Sequence, residues 1–171
     1  MAFPVPKDVR TTRDFELVLG QDEVLRQSMA IADLTKNLDV GEWVKPSTSG
    51  GVTKAAKLVV GDTLASPALG ARASWTRFRP GDASTGQSDA LATGTCDLLG
   101  GTYQAKTKIY DTASVLFAPG RLLVAKWDSV NDRGYLDALD PAAATIRQLQ
   151  AVVGRCIEVA GGVLHYESPG L

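Results

Sequence analysis

The chain has 171 residues, of which 44% are hydrophobic and 22% charged, so wholesale disorder is excluded and a core can form without metals. Its 18 Lys and Arg against 19 Asp and Glu leave a formal net charge of −1, which gives no electrostatic reason to expect nucleic acid or an anionic membrane as partner. No apolar stretch approaches the ~20 residues that span a bilayer, and the N-terminus has no signal-peptide-like run. We therefore expect folding in a reducing cytoplasm, with Cys96 and Cys156 as free, packed thiols rather than one bridge.

Residues 1–14 are predicted to form an extended N-terminal arm in front of a single β domain that spans residues 15–171. Pro4 and Pro6 restrict the residues before them to extended geometry. The arm is either a frayed terminus or a strap that docks on a neighbouring subunit or partner. Its three isolated apolar side chains are the predicted partner-binding residues, namely Phe3, Val5 and Val9.

The domain is predicted to be mainly β, a β-sandwich or barrel of short antiparallel hairpins with one short helix. Three segments repeat the plan of strand, Gly-bearing turn and returning strand, at 41–55, 120–139 and 154–167. Further strands are predicted at 15–19, 24–32, 57–60, 71–78, 95–99 and 102–110. The spacing of apolar residues in 24–32 would also suit a short helix.

The last hairpin can be predicted residue by residue, because its loop is the pair Gly161-Gly162. Two glycines accept the positive φ angles of a type I′ turn, which fixes the register of the flanking strands. Glu158 then lies opposite His165 on one face, where the two can pair in solvent. The other face is apolar and should point to the core, with Val159 opposite Leu164 and Ile157 opposite Tyr166.

Two further segments carry local signals. Asp140 suits the N-cap and Pro141 the first turn of a short helix of about ten residues. Residues 79–94 are rich in Gly, Ser, Thr, Asp and Ala, which predicts an unusually long exposed loop. This loop is either a contact loop or a simple surface excursion.

The sequence offers little for catalysis. His165 is the single histidine, and it lies in a predicted strand with Glu158 as its carboxylate partner and no nucleophile nearby in sequence. We interpret it as a cross-strand pair, so no catalytic residue is predicted.

Metal and ligand motifs are equally sparse. Two cysteines and one histidine do not make a zinc motif, and residues 128–132 match a hydrogen-bonded turn better than a calcium loop. Trp43, Trp75 and Trp127 could form a stacking platform, but scattered tryptophans are more typical of core packing. No cofactor and no metal are therefore predicted.

Several segments together resemble capsid decoration proteins of tailed bacteriophages, also called cement or head-stabilising proteins. They are Gly41-Glu-Trp-Val-Lys-Pro with Gly51-Val-Thr-Lys-Ala, then GTCDLLGGTYQAKTKIYD at 94–111, Pro119-Gly-Arg-Leu-Leu-Val, and the final hairpin at 153–166. The resemblance implies a β-sandwich or barrel, often trimeric, on the outer surface of the virion. There it would bind the phage major capsid protein, bridge its subunits and resist internal pressure, without nucleic acid or membrane partners.

Three other hypotheses remain at this point. The chain could be another phage structural protein, such as a head–tail connector or tail component. It could be a carbohydrate-binding β-sandwich that uses its tryptophans. It could also be a hydrolase in which His165 acts with a serine or with Cys156.

Overall fold

The computed structural model describes residues 15–19, 25–35, 38, 41–60, 62, 72–75 and 94–169. The fold is mainly β with one short helix, as predicted. Its strands are β1 (Phe15–Leu19), β2 (Leu25–Ala30), β3 (Trp43–Ser49), β4 (Val52–Lys57), β5 (Arg72–Trp75), β6 (Thr95–Gly100), β7 (Thr102–Thr107), β8 (Leu122–Asp128), β9 (Arg133–Ala138), β10 (Val152–Ala160) and β11 (Val163–Pro169). The helix, α1, spans Ile146–Gln150. Within the described ranges, no helix is long and apolar enough to cross a membrane.

The strands form two antiparallel sheets. One has six strands in the order β1-β7-β11-β10-β8-β9, and the other has five in the order β2-β6-β5-β3-β4. Gly101, with a φ of +81°, connects β6 in the second sheet to β7 in the first. The chain therefore passes from one sheet to the other at a tight turn that glycine accepts without strain.

A single apolar cluster joins the two sheets. The six-stranded sheet contributes most of it, and the five-stranded sheet adds Trp43 and Leu99. Three aromatic rings meet inside, with ring centroids 6.4 Å apart for Trp43 and Tyr166 and 6.2 Å for Tyr103 and Tyr166. Burial raises the pKa of Tyr103 to about 12. The shared core gives the fold its sandwich-like arrangement.

The five-stranded sheet also curls around a smaller cluster of its own. Ile31, just beyond β2, forms a parallel bridge with Ala55 in β4, so the two edges of this sheet come together. The enclosed side chains are Ile31, Leu38, Val44, Ala55, Cys96 and Leu98, with Met29 against them. One bridge does not close the sheet, so the barrel alternative is not what the described strands form.

The two sheets are also tied by a buried carboxylate. Glu42, fully buried immediately before β3, accepts a hydrogen bond from the backbone N–H of Gly134 in β9 at 3.2 Å. The Lys57 ammonium of β4 lies 3.6 Å from the same carboxylate oxygen. A hydrogen-bonded and charge-paired carboxylate is tolerated in an interior, whereas an isolated one is not.

The last hairpin confirms the predicted loop and corrects part of the predicted register. Gly161 and Gly162 have φ angles of +57° and +75°, and Glu158 pairs with His165. However, Cys156 rather than Ile157 pairs with Tyr166, because a β-bulge lies between Cys156 and Glu158. Because of the extra residue, the side chain of Cys156 rather than that of Ile157 points into the main core, beside Leu164 and Tyr166.

Two other local predictions were wrong. Residues 57–60 are not a separate strand, because β4 continues without a break to Lys57 and ends there. The next side chain, Leu58, packs in the main core. The helix is capped by Thr145 rather than Asp140. Asp140 instead accepts a hydrogen bond from the backbone N–H of Ala142 at 2.9 Å, which closes a turn before the helix. The predicted arm at 1–14 and loop 79–94, apart from Gly94, lie outside the described residues.

Gly134→Ala should destabilise the protein far more than Gly50→Ala. A Cβ at Gly134 would lie 1.9 Å from the backbone oxygen of Trp43, whereas nothing lies within 4 Å of one at Gly50. We expect a loss of about 3 kcal/mol or more at Gly134, since backbone must move. Gly50, with a φ of +60°, should lose only about 1 kcal/mol for left-handed strain. Urea unfolding of both variants measures the difference, and equal losses would contradict the close approach of the sheets.

Candidate functional site

The arrangement around His165 does not bring it to a cysteine nucleophile. His165 Nδ1 lies 3.7 Å from a carboxylate oxygen of Glu158, as the predicted cross-strand pair requires. Cys156 packs in the main core with Tyr166, the residue next to His165. Adjacent strand residues point to opposite faces, so the Cys156 thiol and the His165 imidazole lie on opposite sides of the sheet.

The chemistry of the cysteines agrees with a packing role. Cys96 and Cys156 are both buried, and neither forms a disulfide, as predicted. Burial raises the pKa of the Cys156 thiol, and the nearby Glu158 carboxylate raises it further. A thiol with a raised pKa is a poor nucleophile at neutral pH, because the thiolate is the reactive form. Among the described residues, no group of three or more His, Cys, Asp and Glu side chains could hold a metal ion.

The turn between β8 and β9 is closed by its own side chains. One oxygen of Asp128 accepts hydrogen bonds from the backbone N–H groups of Val130 at 2.9 Å and Asn131 at 3.3 Å. The other accepts from the Asn131 side-chain amide at 2.6 Å, and Arg133 lies 3.9 Å away. This is the hydrogen-bonded turn that the sequence predicts at 128–132, with Asp128 as its organiser.

The two tryptophans whose side chains the structure describes, Trp43 and Trp127, do not form a shared platform. Trp43 is only 3% exposed and lies in the main core, whereas Trp127 is partly buried and packs against that core from its rim. The side chain of Trp75 lies outside what the structure describes. The predicted core role is therefore confirmed for Trp43, while Trp127 keeps one side available to solvent.

The helix α1 presents an apolar side that the protein does not bury. Thr145 accepts a hydrogen bond from the Gln148 backbone N–H, and the Gln148 side chain accepts one from the Thr145 backbone N–H at 2.8 Å. This capping box fixes where the helix begins. Ile146 and Leu149 lie three residues apart on one side of it, 76% and 48% exposed.

An apolar groove continues from this helix. It has a volume of about 430 Å³ and lies where the start of β8 meets the end of β9 and the helix. Together with the helix it forms what we term the α1 surface, composed of Pro119, Leu122, Leu139, Pro141, Ile146 and Leu149. Leu139 is buried, but the other five side chains are partly or largely exposed, and connected apolar side chains of this kind are typical of an interaction site.

The sequence reasoning missed this surface, although a signal for it exists. Thr145 and Gln148 stand three residues apart, as a capping box requires, and Ile146 and Leu149 follow the helical spacing. The pattern was overlooked because Asp140-Pro141 also suits the start of a helix and was assigned that role. The partner-binding residues that the sequence did suggest, Phe3, Val5 and Val9, lie outside the described residues.

Comparison of the chain with protein-family models, with curated proteins and with solved structures found no match in any of the three. The function must therefore be argued from the geometry and chemistry of these surfaces.

Protonation of Asp128 should loosen the β8–β9 turn at low pH. Burial raises the pKa of Asp128, but the hydrogen bonds from Asn131 and Val130 and the charge of Arg133 outweigh it and leave the pKa below its ordinary value. A lowered folded-state pKa contributes stability above the ordinary value of about 4, which is lost as the pH falls through the folded pKa. Asp128→Asn should therefore show a weaker loss of unfolding free energy in acid than the parent protein.

Urea unfolding at neutral pH and in acid measures this difference. Asp128→Ala, which removes all the acceptors, should lower the unfolding free energy at neutral pH by about 1–2 kcal/mol. Identical acid-induced losses for the parent and Asp128→Asn would contradict a stabilising charge at this position.

Proposed function

We propose that the chain is a non-enzymatic virion structural protein that binds the outer surface of an assembled phage capsid. It stabilises the capsid by bridging major capsid subunits, and it acts as a homo-oligomer, with a trimer favoured. The α1 surface is the observation that carries this proposal, because it supplies a connected apolar contact area outside the protein's own core.

The segments that resemble decoration proteins support the proposal through their positions. Residues 41–55 contain most of the β3–β4 hairpin, 94–111 contain β6 and β7, which connect the two sheets, and 153–166 contain most of the β10–β11 hairpin. The resemblance therefore involves the framework of both sheets rather than one isolated turn.

The occupant we assign to the α1 surface is the arm, residues 1–14, of a neighbouring copy. The arm carries Phe3, Val5 and Val9 beside two prolines, and extended proline-containing segments suit apolar grooves. A groove lined by Pro119, Leu122 and Leu139 offers apolar contacts of the same kind.

The register of the six-stranded sheet gives the distance from the start of β1, where the arm ends, to the groove of the same subunit. Phe15, where the described chain begins, lies in the same row as Val159, whereas Leu122 at the groove lies in the row of Leu19. Four strand spacings separate β1 from β8, or ~19 Å. Fourteen extended residues span about 46–50 Å, which exceeds the separation of β1 and β8 within one subunit, so an arm of this length can extend beyond its own domain.

Multivalency explains how modest contacts would hold such a protein on a capsid. Each subunit of an oligomer raises the effective concentration of the others at the lattice, so the combined affinity exceeds that of any single contact. The ordering of an arm on docking has an entropic cost that the apolar contacts must exceed.

Deletion of residues 1–14 should dissociate the oligomer. The arm is the proposed intersubunit contact, so the full chain should have the mass of an oligomer and the shortened chain that of a monomer. Light scattering measures both masses. A full chain that is monomeric, or an oligomer that survives the deletion, would contradict arm exchange between copies.

Leu149→Asp should weaken assembly and capsid binding, whereas Val115→Asp should not. Leu149 is 48% exposed within the α1 surface, and Val115 is 94% exposed and is not one of its residues, so neither change places a charge in the core. We expect Leu149→Asp to reduce binding to assembled heads of the phage that encodes this chain by roughly tenfold or more.

Cosedimentation with assembled heads, compared with free capsid subunits, measures this effect. The parent protein and Val115→Asp should bind assembled heads saturably and free subunits poorly. Equal binding to both forms, or to neither, would refute a decoration role, and a low copy number per virion would favour a connector or tail component.

A further inference from the structure

A second site lies at the opposite end of the β8–β9 hairpin from the α1 surface. It is an open cleft of about 590 Å³, formed by the β8–β9 turn and by residues 108–112. This last segment extends the sheet beyond β9, because the backbone N–H of Asp111 donates to the oxygen of Leu136 at 2.8 Å. The volume is within the range of small-molecule sites in proteins.

Three aromatic side chains line this cleft, namely Tyr110, Trp127 and Tyr135. All three are partly buried, so each is supported by the protein and keeps part of its surface in the cleft. Tyr110 is held by an edge-to-face contact with Phe117, with ring centroids 5.3 Å apart. Rigid aromatic faces bind flat apolar surfaces at a low entropic cost.

The same cleft has donors and acceptors of hydrogen bonds around these rings. Its polar lining comprises Lys108, Asp111, Thr112, Lys126, Asp128, Ser129, Asn131 and Arg133. Lys126 lies directly opposite Tyr135 across the strands, and Asp128 directly opposite Arg133. A ligand in the cleft would therefore meet aromatic surface and charged hydrogen-bonding groups side by side.

The rim of the cleft is organised before any ligand binds. The indole N–H of Trp127 donates to a carboxylate oxygen of Asp132 at 3.0 Å, which fixes the orientation of the ring. Asp132 has a φ of +47°, a left-handed conformation uncommon outside glycine. Strained residues of this kind persist where the surrounding structure holds them, and they concentrate at binding sites.

The cleft presents charges of both signs rather than a cationic surface. Lys126 is 3.3 Å from Asp137, and Arg133 is 3.9 Å from Asp128, so two of the three lining cations already have carboxylate neighbours. The pKa of Tyr135 is raised to about 12 by burial and by the charges of Asp111, Asp137 and Asp128. Carboxylates therefore lie near this ring among the cations, so the cleft lacks the purely cationic surface that is typical of phosphate and sulfate sites.

We propose that this cleft binds a neutral saccharide. A pyranose ring has an apolar C–H face that packs on an aromatic side chain, and a rim of hydroxyl groups that both donate and accept hydrogen bonds. Trp127, Tyr135 and Tyr110 match the first feature. The carboxylates, the ammonium groups and the Asn131 amide match the rim of hydroxyl groups. Together they accept hydrogen bonds from hydroxyl groups and donate hydrogen bonds to them, so the ligand needs no charge of its own.

This inference is independent of the capsid proposal. The cleft and the α1 surface share no lining residue, although both use the β8–β9 hairpin. An oligomer joined through its α1 surfaces would leave the cleft free for a sugar or a sugar chain, because the cleft lies at the other end of the hairpin. Binding of free saccharides can be measured on the isolated protein, so failure of either proposal leaves the other testable.

The test is a titration of the full chain followed by nuclear magnetic resonance. The probes are glucose, galactose, mannose, N-acetylglucosamine and maltotriose, with inorganic phosphate as the anionic comparison. We expect at least one saccharide to cause saturable shifts of the Trp127 indole N–H signal, assigned through Trp127→Phe. Phosphate should leave that signal unchanged.

Two variants and a matched control locate the site. Tyr135→Phe removes one hydroxyl group, and Asn131→Ala removes an exposed amide that also donates to Asp128 in the turn. Each should weaken binding of the responding saccharide by roughly tenfold. Gln150→Ala removes an exposed amide at the end of α1, outside the cleft, and should bind as the parent does. If the natural ligand is a sugar chain, beads that carry the responding saccharide should retain the parent protein and Gln150→Ala. Free sugar should release the retained protein, because it competes for the same cleft.

Three results would overturn the proposal. They are no saturable shift with any saccharide, a response to phosphate stronger than to every sugar, and shifts that Tyr135→Phe and Asn131→Ala leave as strong as in Gln150→Ala. The backbone signals of each variant show directly whether it has folded.

Discussion

The buried carboxylate of Glu42 fixes how the two sheets meet. It binds the backbone of β9 on one side and the ammonium of Lys57 on the other, and its side chain is fully buried. Loss of one partner from a buried ion pair costs about 3–5 kcal/mol, because the remaining charge stays desolvated. Since Gly134 lies against the backbone of Trp43 at the same point, only one placement of β9 against β3 satisfies both the charge and the close approach.

This fixed junction separates the side chains that pack between the sheets from those that remain exposed for contacts. The side chains between the sheets are occupied by packing, so recognition is left to what lies outside them. The β8–β9 hairpin carries the α1 surface at one end and the cleft at the other, and Leu123 and Leu136 anchor it in the core between them. A rigid hairpin with two exposed ends can hold two different contacts at a set separation.

Local chemistry in the sequence was enough for the mainly-β fold, the loop at Gly161-Gly162 and the turn organised by Asp128, because each is determined by neighbours in the chain. The bulge beside Ile157 could not be predicted in this way, since Cys156 and Ile157 are both apolar and either could face the core. Nor could the role of Glu42, whose partner is 92 residues away. The cleft was missed for the same reason, because residues 108–112 and the β8–β9 turn are separate along the chain and meet only through the bridge of Tyr110 to Leu136.

The strand order has a consequence for how the chain must fold. β1 pairs with β7, and all the strands of the five-stranded sheet lie between them in the sequence. During synthesis β1 therefore cannot pair until Thr107, the partner of Phe15, has left the ribosome. The β8–β9 and β10–β11 hairpins, by contrast, can each form as soon as their own two strands emerge. Pairings between distant strands form slowly, because loop closure precedes any gain from the contacts. The closing of β1 onto β7 is then a slow step, and until it occurs both backbone edges of β1 and the side chains of Phe15 and Leu17 are open to another chain.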